Sequence, residues 1–392
     1  MHDVIVVGMG PAGATAAAEL SRAGLSVMGL EWKTMPRYKV CGGALSARVD
    51  RLLEPDYHAV VEETIHRVRF QFAGAEAFEI VSPDPIAYMV MRDRFDAYLV
   101  EKARDAGVLV RESERVINVR EQADGVEVET PQGRYQSAIV VGADGANSLV
   151  ARTLFPGRRS RVLGALEGEV RLNGASSSLG AGAIVLDLGV VAGGYGWVFP
   201  KEGRLSIGLA GLQERHRHPR SAYQDFVKTE PTLTGLTVPE GLGHPIPLYG
   251  GESTERMPLT TKRAVLVGDA AHLVDPVLGE GIYYAILSGR MAACSIIDWM
   301  GKKTTDLRSY DERIAEDMYP EFRVAARMAW TLYTFPQMAH RTLRRRPELL
   351  HLYADVLKGR ETYQSFYAKS RAKAKASFMQ MAKNAGLSAF KG

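Results

Sequence analysis

Apolar and polar positions along the chain follow three rhythms. Short runs at residues 4–7, 25–30 and 264–267, unbroken in the first and last and interrupted by Ser26 and Gly29 in the second, read as strands. The first leads into a helix-like stretch over residues 14–23, and the third leads into an apolar helix that runs to about Met300. A helix is also predicted over residues 93–106, with a strand following at Val108. The second rhythm occupies residues 66–91 and 161–261. Apolar and polar positions alternate there in short runs such as VRFQF, AIVLDLG and RLSIGLAGL, the pattern of half-buried antiparallel strands. From Asp306 onward the pattern is helical, with Pro320, Pro336 and Pro347 as helix boundaries.

Glycine-rich turns follow two of the unbroken runs. After residues 4–7 comes GMGPAG, in the strand, turn and helix context of a dinucleotide cradle. Gly8 allows the tight turn, Gly10 lets the backbone approach a pyrophosphate, and Gly13 lets helix pack on strand. The phosphate then lies at the positive helix N-terminus. The next strand ends in Glu31, placed to accept hydrogen bonds from ribose hydroxyls and unfavourable to a 2′-phosphate, so NADPH suits this pocket poorly. A second cradle, VGDAAHLVDPVLGEG, spans residues 267–281. Asp269 at its strand end can bind a ribityl hydroxyl, and the amides of Gly281 and Ile282, with Gly279 before them, face a flavin and its pyrophosphate. A dinucleotide fold that recruits a second loop from far downstream fits FAD better than NAD.

This arrangement resembles the flavoprotein group typified by para-hydroxybenzoate hydroxylase, over residues 1 to about 300. The segment IVVGADGANSLVAR resembles that group's Asp-Gly motif, which implies Asp144 near the pyrophosphate. Arg92 resembles its flavin-contacting arginine, and the resemblance adds Val116 to the cofactor site. The implied fold is α/β plus antiparallel sheet. A Rossmann-like FAD-binding domain (1–65, 92–160 and 262–300) carries an inserted β-sheet substrate domain (66–91 and 161–261), followed by a helical, basic C-terminal region (301–392).

Two segments narrow the chemistry. In PRYKVCGG, at residues 36–43, two glycines after a cysteine let the backbone lie against a flat ligand. The loop resembles the Cys-Gly-Gly loop of the geranylgeranyl reductase family, flavoenzymes that saturate isoprenoid double bonds. The resemblance implies that Cys41, Gly42 and Ala44 line the flavin. As an ordinary cysteine, Cys41 would be a small buried apolar side chain, and Cys294, within an apolar helix, is read that way. In YGWVFP, at residues 195–200, Tyr195, Trp197 and Phe199 share one face of a strand and can wall an apolar tunnel. That segment resembles the same family's substrate-side motif, although plain core and a related halogenase motif share its pattern.

The implied activity is hydride transfer from reduced FAD to an isoprenoid alkene of a lipid, quinone or diphosphate, with NADPH or a ferredoxin as external donor. Cys41, Tyr38 or a water near residues 279–281 are the candidate proton donors, and His272 reads as structural. The alternative is an FAD-dependent aromatic hydroxylase or halogenase on the same fold. No metal site is assigned.

Composition adds bounds. With 46% hydrophobic and 24% charged residues the chain excludes a disordered protein. Two cysteines give no disulfide framework, no signal peptide is recognised, and a cytoplasmic location is expected. No apolar run reaches the ~18 residues of a membrane span. The net charge of +4 hides an asymmetry: from Arg341 onward twelve Lys or Arg face three acids, interleaved with Tyr353, Tyr363, Phe366, Tyr367, Phe378 and Phe390. Such a tail suits peripheral contact with an anionic membrane, on the inner face of the cell membrane, or else a solvated basic face or an oligomer contact. Nucleic acid is not expected, since no recognition motif accompanies the charge.

Overall fold

The computed structural model describes residues 1–158, 161–172, 178–215 and 218–384, with side chains up to residue 373. His2–Val7 lies at the centre of a seven-stranded sheet, parallel to Val27–Leu30 on one side and Gly133–Gly142 on the other. Leu109–Arg111 extends one edge in parallel, and Val126–Thr130 and Asn118–Glu121 extend the other as antiparallel strands. The central strand is buried from Val4 to Val7, as the parallel interior of a sheet covered on both faces demands. Helix α1 (Pro11–Arg22) opens inside the glycine motif, three residues earlier than its apolar pattern suggests, because Pro11 at the first turn is preset for helix. Helices α2 (Arg92–Asp105) and α3 (Leu149–Leu154) complete this part of the layer.

The other large sheet runs in the order Leu242–Leu248, Arg161–Arg171, Arg204–Leu212, Gly194–Lys201, Ala183–Leu188, Arg67–Phe72, Ala75–Val81. Its pairs are antiparallel except Arg67–Phe72 with Ala183–Leu188, which run parallel. The expected half-burial does not hold here: all six residues of Ala183–Leu188 are buried, and so are eight of nine in Arg204–Leu212. Helix α4 (Pro219–Thr229) and residues such as Tyr223 and Phe226 cover one face, and the C-terminal helices cover the other. Residues 66–91 also divide. Ala87–Val90 leaves this platform and pairs with Ala44–Ser46 and Val61–Ile65 in a small sheet that joins the two halves.

After the short helix α5 (Glu252–Glu255), Ala264–Leu266 returns to the first sheet in parallel with Gly133–Gly142. Helix α6 (Ile282–Met300) then packs against α1. Cys294 is exposed on it rather than buried, since residues 287, 291, 294 and 298 form its outer stripe while 292, 293 and 296 face the core. Helices α7 (Arg308–Asp317), α8 (Tyr319–Thr334), α9 (Pro336–Arg345), α10 (Pro347–Leu357) and α11 (Tyr363–Asn384) follow, the three prolines standing at the first turns of α8, α9 and α10. Phe390 and the side chain of Phe378 lie outside the described residues. No described helix is long and apolar enough to cross a membrane.

Candidate active site

A cavity of about 1470 Å³ runs from the glycine turns of the parallel sheet to the platform and the C-terminal helices. Small-ligand pockets usually hold ~300–1,000 Å³, so this one has room for a dinucleotide and a second molecule.

At one end lie Gly8, Gly10 and the start of α1. Gly10 caps α1 with no side-chain hydrogen bond, which leaves the first-turn amides for a ligand. Gly13 does not line the cavity. A Cβ there would stand 1.9 Å from the Gly8 carbonyl oxygen, so the residue serves helix-on-strand packing. Glu31 is buried at the end of its strand and lines the same end. Its carboxylate accepts from the Met9 and Lys33 amides, each at 3.2 Å, and pairs with Arg37 at 3.2 Å. Arg37 also reaches Asp96, which holds Arg92 in a two-pronged pair at 2.8 Å. Burial opposes the charge on Arg92, but Asp96 and then Cys41 keep its pKa raised.

The second cradle meets the first across this space. Gly281 caps α6, again with no side-chain bond and no acid in the first turn. Gly279, Gly281, Ile282 and Asp269 all line the cavity, as do Val116 and Asp144. Two uncapped helix N-termini as donors, a carboxylate at the strand end as acceptor and glycines that let the backbone approach are the set that suits a flavin dinucleotide. Asp144 is more committed than its motif suggests: its oxygens accept from Ser148 Oγ at 2.5 Å and from the Leu149 and Val150 amides, which fixes α3. His272 is buried outside the cavity with left-handed backbone (φ 58°), and burial, then Arg158, lowers its pKa to about 4. The loop between these points is tied from both neighbours, Tyr195 donating to the Leu278 carbonyl and Tyr333 of α8 to that of Val277.

Cys41, Gly42 and Ala44 line the middle of the cavity, and Tyr195, Trp197 and Phe199 form a wall there. The two motifs touch. A Cβ on Gly42 would lie 3.0 Å from the Phe199 ring and 3.2 Å from the Trp197 indole nitrogen, so an aromatic neighbour as well as any flat ligand requires this glycine. Cys41 is half-buried, its sulfur accepting from the Gly43 amide at 3.4 Å. Tyr38 is half-exposed and donates to Glu167 at 3.0 Å. Burial and then Glu167 push its pKa upward, which makes it a poor proton donor.

Lys39, inside the PRYKVCGG segment but given no role there, and His244, outside every motif, escape sequence reasoning. Both line the cavity, with Lys39 Nζ 2.7 Å from His244 Nε2. Burial, then Lys39 and Arg92, lowers the His244 pKa to about 4, so its neutral ring accepts from Lys39. Burial and Arg92 likewise lower the Lys39 pKa. Only the spacing of Lys39 two residues before Cys41 was available as a signal. Beyond the aromatic wall the cavity is apolar, lined by Phe70, Leu186 and Leu188 of the platform and by Leu332, Leu350 and Leu357 of the helices.

The model of the FAD binding domain family matches residues 1–313. The geranylgeranyl diphosphate reductase of Rhodobacter capsulatus is 29% identical over 95% of this chain and 93% of its own. The menaquinone reductase of Mycolicibacterium smegmatis is 32% identical over 86% of this chain and 85% of its own. A crystal structure of a geranylgeranyl bacteriochlorophyll reductase-like protein from Thermoplasma acidophilum superposes with a TM-score of 0.75 at 22% identity, covering 85% of this chain and 87% of that one. The chain therefore belongs to the FAD-binding-domain family and, within it, to the geranylgeranyl reductase family of FAD-dependent oxidoreductases.

Proposed function

We propose that the protein saturates C=C bonds of an isoprenoid carried on a lipid, quinone or diphosphate. The observation that carries this reading is the continuity of the cavity, from two uncapped helix N-termini through the Cys-Gly-Gly loop into an apolar chamber. The relatives are named for geranylgeranyl diphosphate and menaquinone, which supports a polyprenyl substrate. Residues 1–65, 92–160 and 262–300 form the cofactor half, the platform strands bind substrate, and NADPH or a ferredoxin delivers electrons transiently.

Bound FAD supplies the hydride. Gly8, Gly10, Gly281 and Ile282 bind its phosphate and ring side through backbone amides, Glu31 the ribose, and Asp269 the ribityl chain. Cys41, Gly42, Ala44, Arg92 and Val116 surround the flavin, with Asp144 holding the turn at the pyrophosphate. Tyr195, Trp197 and Phe199 orient the alkene and exclude water, because an isolated alkene has no carbonyl to hold negative charge and its protonation must accompany hydride delivery. Lys39 Nζ is the better proton source: its pKa is lowered and it faces the cavity, whereas Tyr38 has committed its proton to Glu167. Anaerobic reduction of the bound flavin followed by addition of a geranylgeranyl compound in detergent tests the reading. Reoxidation with a gain of two mass units per double bond is expected, and no reoxidation with any polyprenyl compound rejects it.

A further inference from the structure

Helices α8 and α9 meet at a corner where large apolar side chains stay in water. Trp330 is 57% exposed, Phe335 45% and Met338 57%, and the Trp330 and Phe335 rings touch edge to face at 5.9 Å. Burying side chains of this size is worth roughly 1.5–3 kcal/mol each, so leaving three together exposed forgoes a sizeable stabilisation. Arginines flank them. Arg341 and Arg345 continue the exposed stripe of α9 that begins at Phe335 and Met338, and Arg327 precedes Trp330 by one turn of α8. Arg344 pairs with Glu76 at 3.6 Å, but among the described residues no carboxylate pairs with Arg327, Arg341 or Arg345. Helix α9 contains no acid at all. The opposite side of α9 is accounted for, since His340 packs against the Phe72 and Phe78 rings.

The corner stands at the rim of the cavity. Thr331, Met338 and Thr342 are exposed and also line it, so the apolar chamber opens beside the exposed aromatic pair. A second copy of the chain is a poor occupant, because a two-fold contact would set these arginines against their own equivalents. An anionic lipid surface satisfies both halves: apolar tips enter the acyl boundary while guanidinium groups meet headgroups.

We propose that Trp330, Phe335 and Met338, with Arg327, Arg341 and Arg345, form a docking surface for an anionic bilayer that seats the cavity mouth against the lipid. The inference rests on the reading of the substrate as a polyprenyl compound. It also moves the membrane contact expected of the whole basic tail to one corner at its start.

The test uses the full-length, flavin-loaded protein and sedimentation with vesicles of phosphatidylglycerol and phosphatidylcholine in equal parts. Wild type is expected to sediment with them, more weakly at raised salt. Arg341→Glu with Arg345→Glu should lower binding by at least about tenfold, at ~1 kcal/mol per arginine. Trp330→Ser with Phe335→Ser should lower it comparably, with an unchanged flavin spectrum as the control for folding. Turnover of substrate dispersed in detergent should hold in both variants, while turnover of vesicle-embedded substrate should fall with binding. Wild type that does not sediment, variants that bind as wild type does, or a solution dimer dissolved by the Trp330 and Phe335 changes would each overturn the proposal. Failure of turnover in detergent would instead reject the substrate reading, because sedimentation needs no turnover.

Discussion

At the cradle end of the cavity the atoms offered to a ligand are backbone amides of α1 and α6 and the carboxylates of Glu31 and Asp269. At the chamber end they are side chains of the platform strands and of the helices after residue 319, far apart in sequence. The first construction needs glycine at fixed spacings, because only there does backbone approach backbone closely enough. The second needs only apolar bulk, which many residues supply. Substitutions should therefore act sharply at one end and gradually at the other.

The largest effect is expected at the cradle. Gly13→Ala places a Cβ 1.9 Å from the Gly8 oxygen, and the purified protein should lose more than about nine-tenths of its flavin absorbance. Retention of flavin would show that the turn adapts and that the contrast between the ends is overstated. Next comes Lys39→Met, which should lower kcat by about 100-fold with the flavin spectrum intact. An unchanged kcat would return the proton to Cys41 or water.

A smaller change probes the boundary between the ends. Gly42→Ala crowds Phe199, and kcat/KM should fall by about tenfold; adding Phe199→Leu should recover most of that loss. If the two changes simply add, ring crowding is not the cause. The smallest effect on function belongs to the platform alone, where stability rather than turnover responds. Burial, opposed by bonds from the Gly74 and Ala73 amides, raises the Asp187 pKa from 3.8 to about 6. Its folded pKa lies above its unfolded one, so the stability it contributes is complete below 3.8 and is lost as pH rises through about 6. Thermal unfolding should show a loss of about 3 kcal/mol from this group across that window, and Asp187→Asn should flatten the slope without altering flavin content.

The same contrast explains what could be read from sequence. Gly8, Gly10, Glu31, Gly279 and Gly281 were legible because their roles depend on identity and spacing, and all five line the cavity. Tyr195, Trp197 and Phe199 were legible as one strand face, but the approach of Trp197 and Phe199 to Gly42 was not, since pairing between segments more than 150 residues apart leaves no local trace. Lys39 and His244 meet only through tertiary packing. Strand patterning suggested half-burial because it counts one covering layer, and the second layer, the C-terminal helices, comes from a part of the chain whose pattern says only helix.

The ties from Tyr195 and Tyr333 to the loop at residues 277–278 bear on how the holoenzyme is made. Every residue of the two cradles has been synthesised by residue 282, and Tyr195 can already hold Leu278, yet the tie to Val277 forms only after α8 brings Tyr333. Flavin capture is therefore expected to wait for α8. A nascent or prematurely ended polypeptide stopping before Tyr333 should stay colourless although it contains every glycine of both cradles.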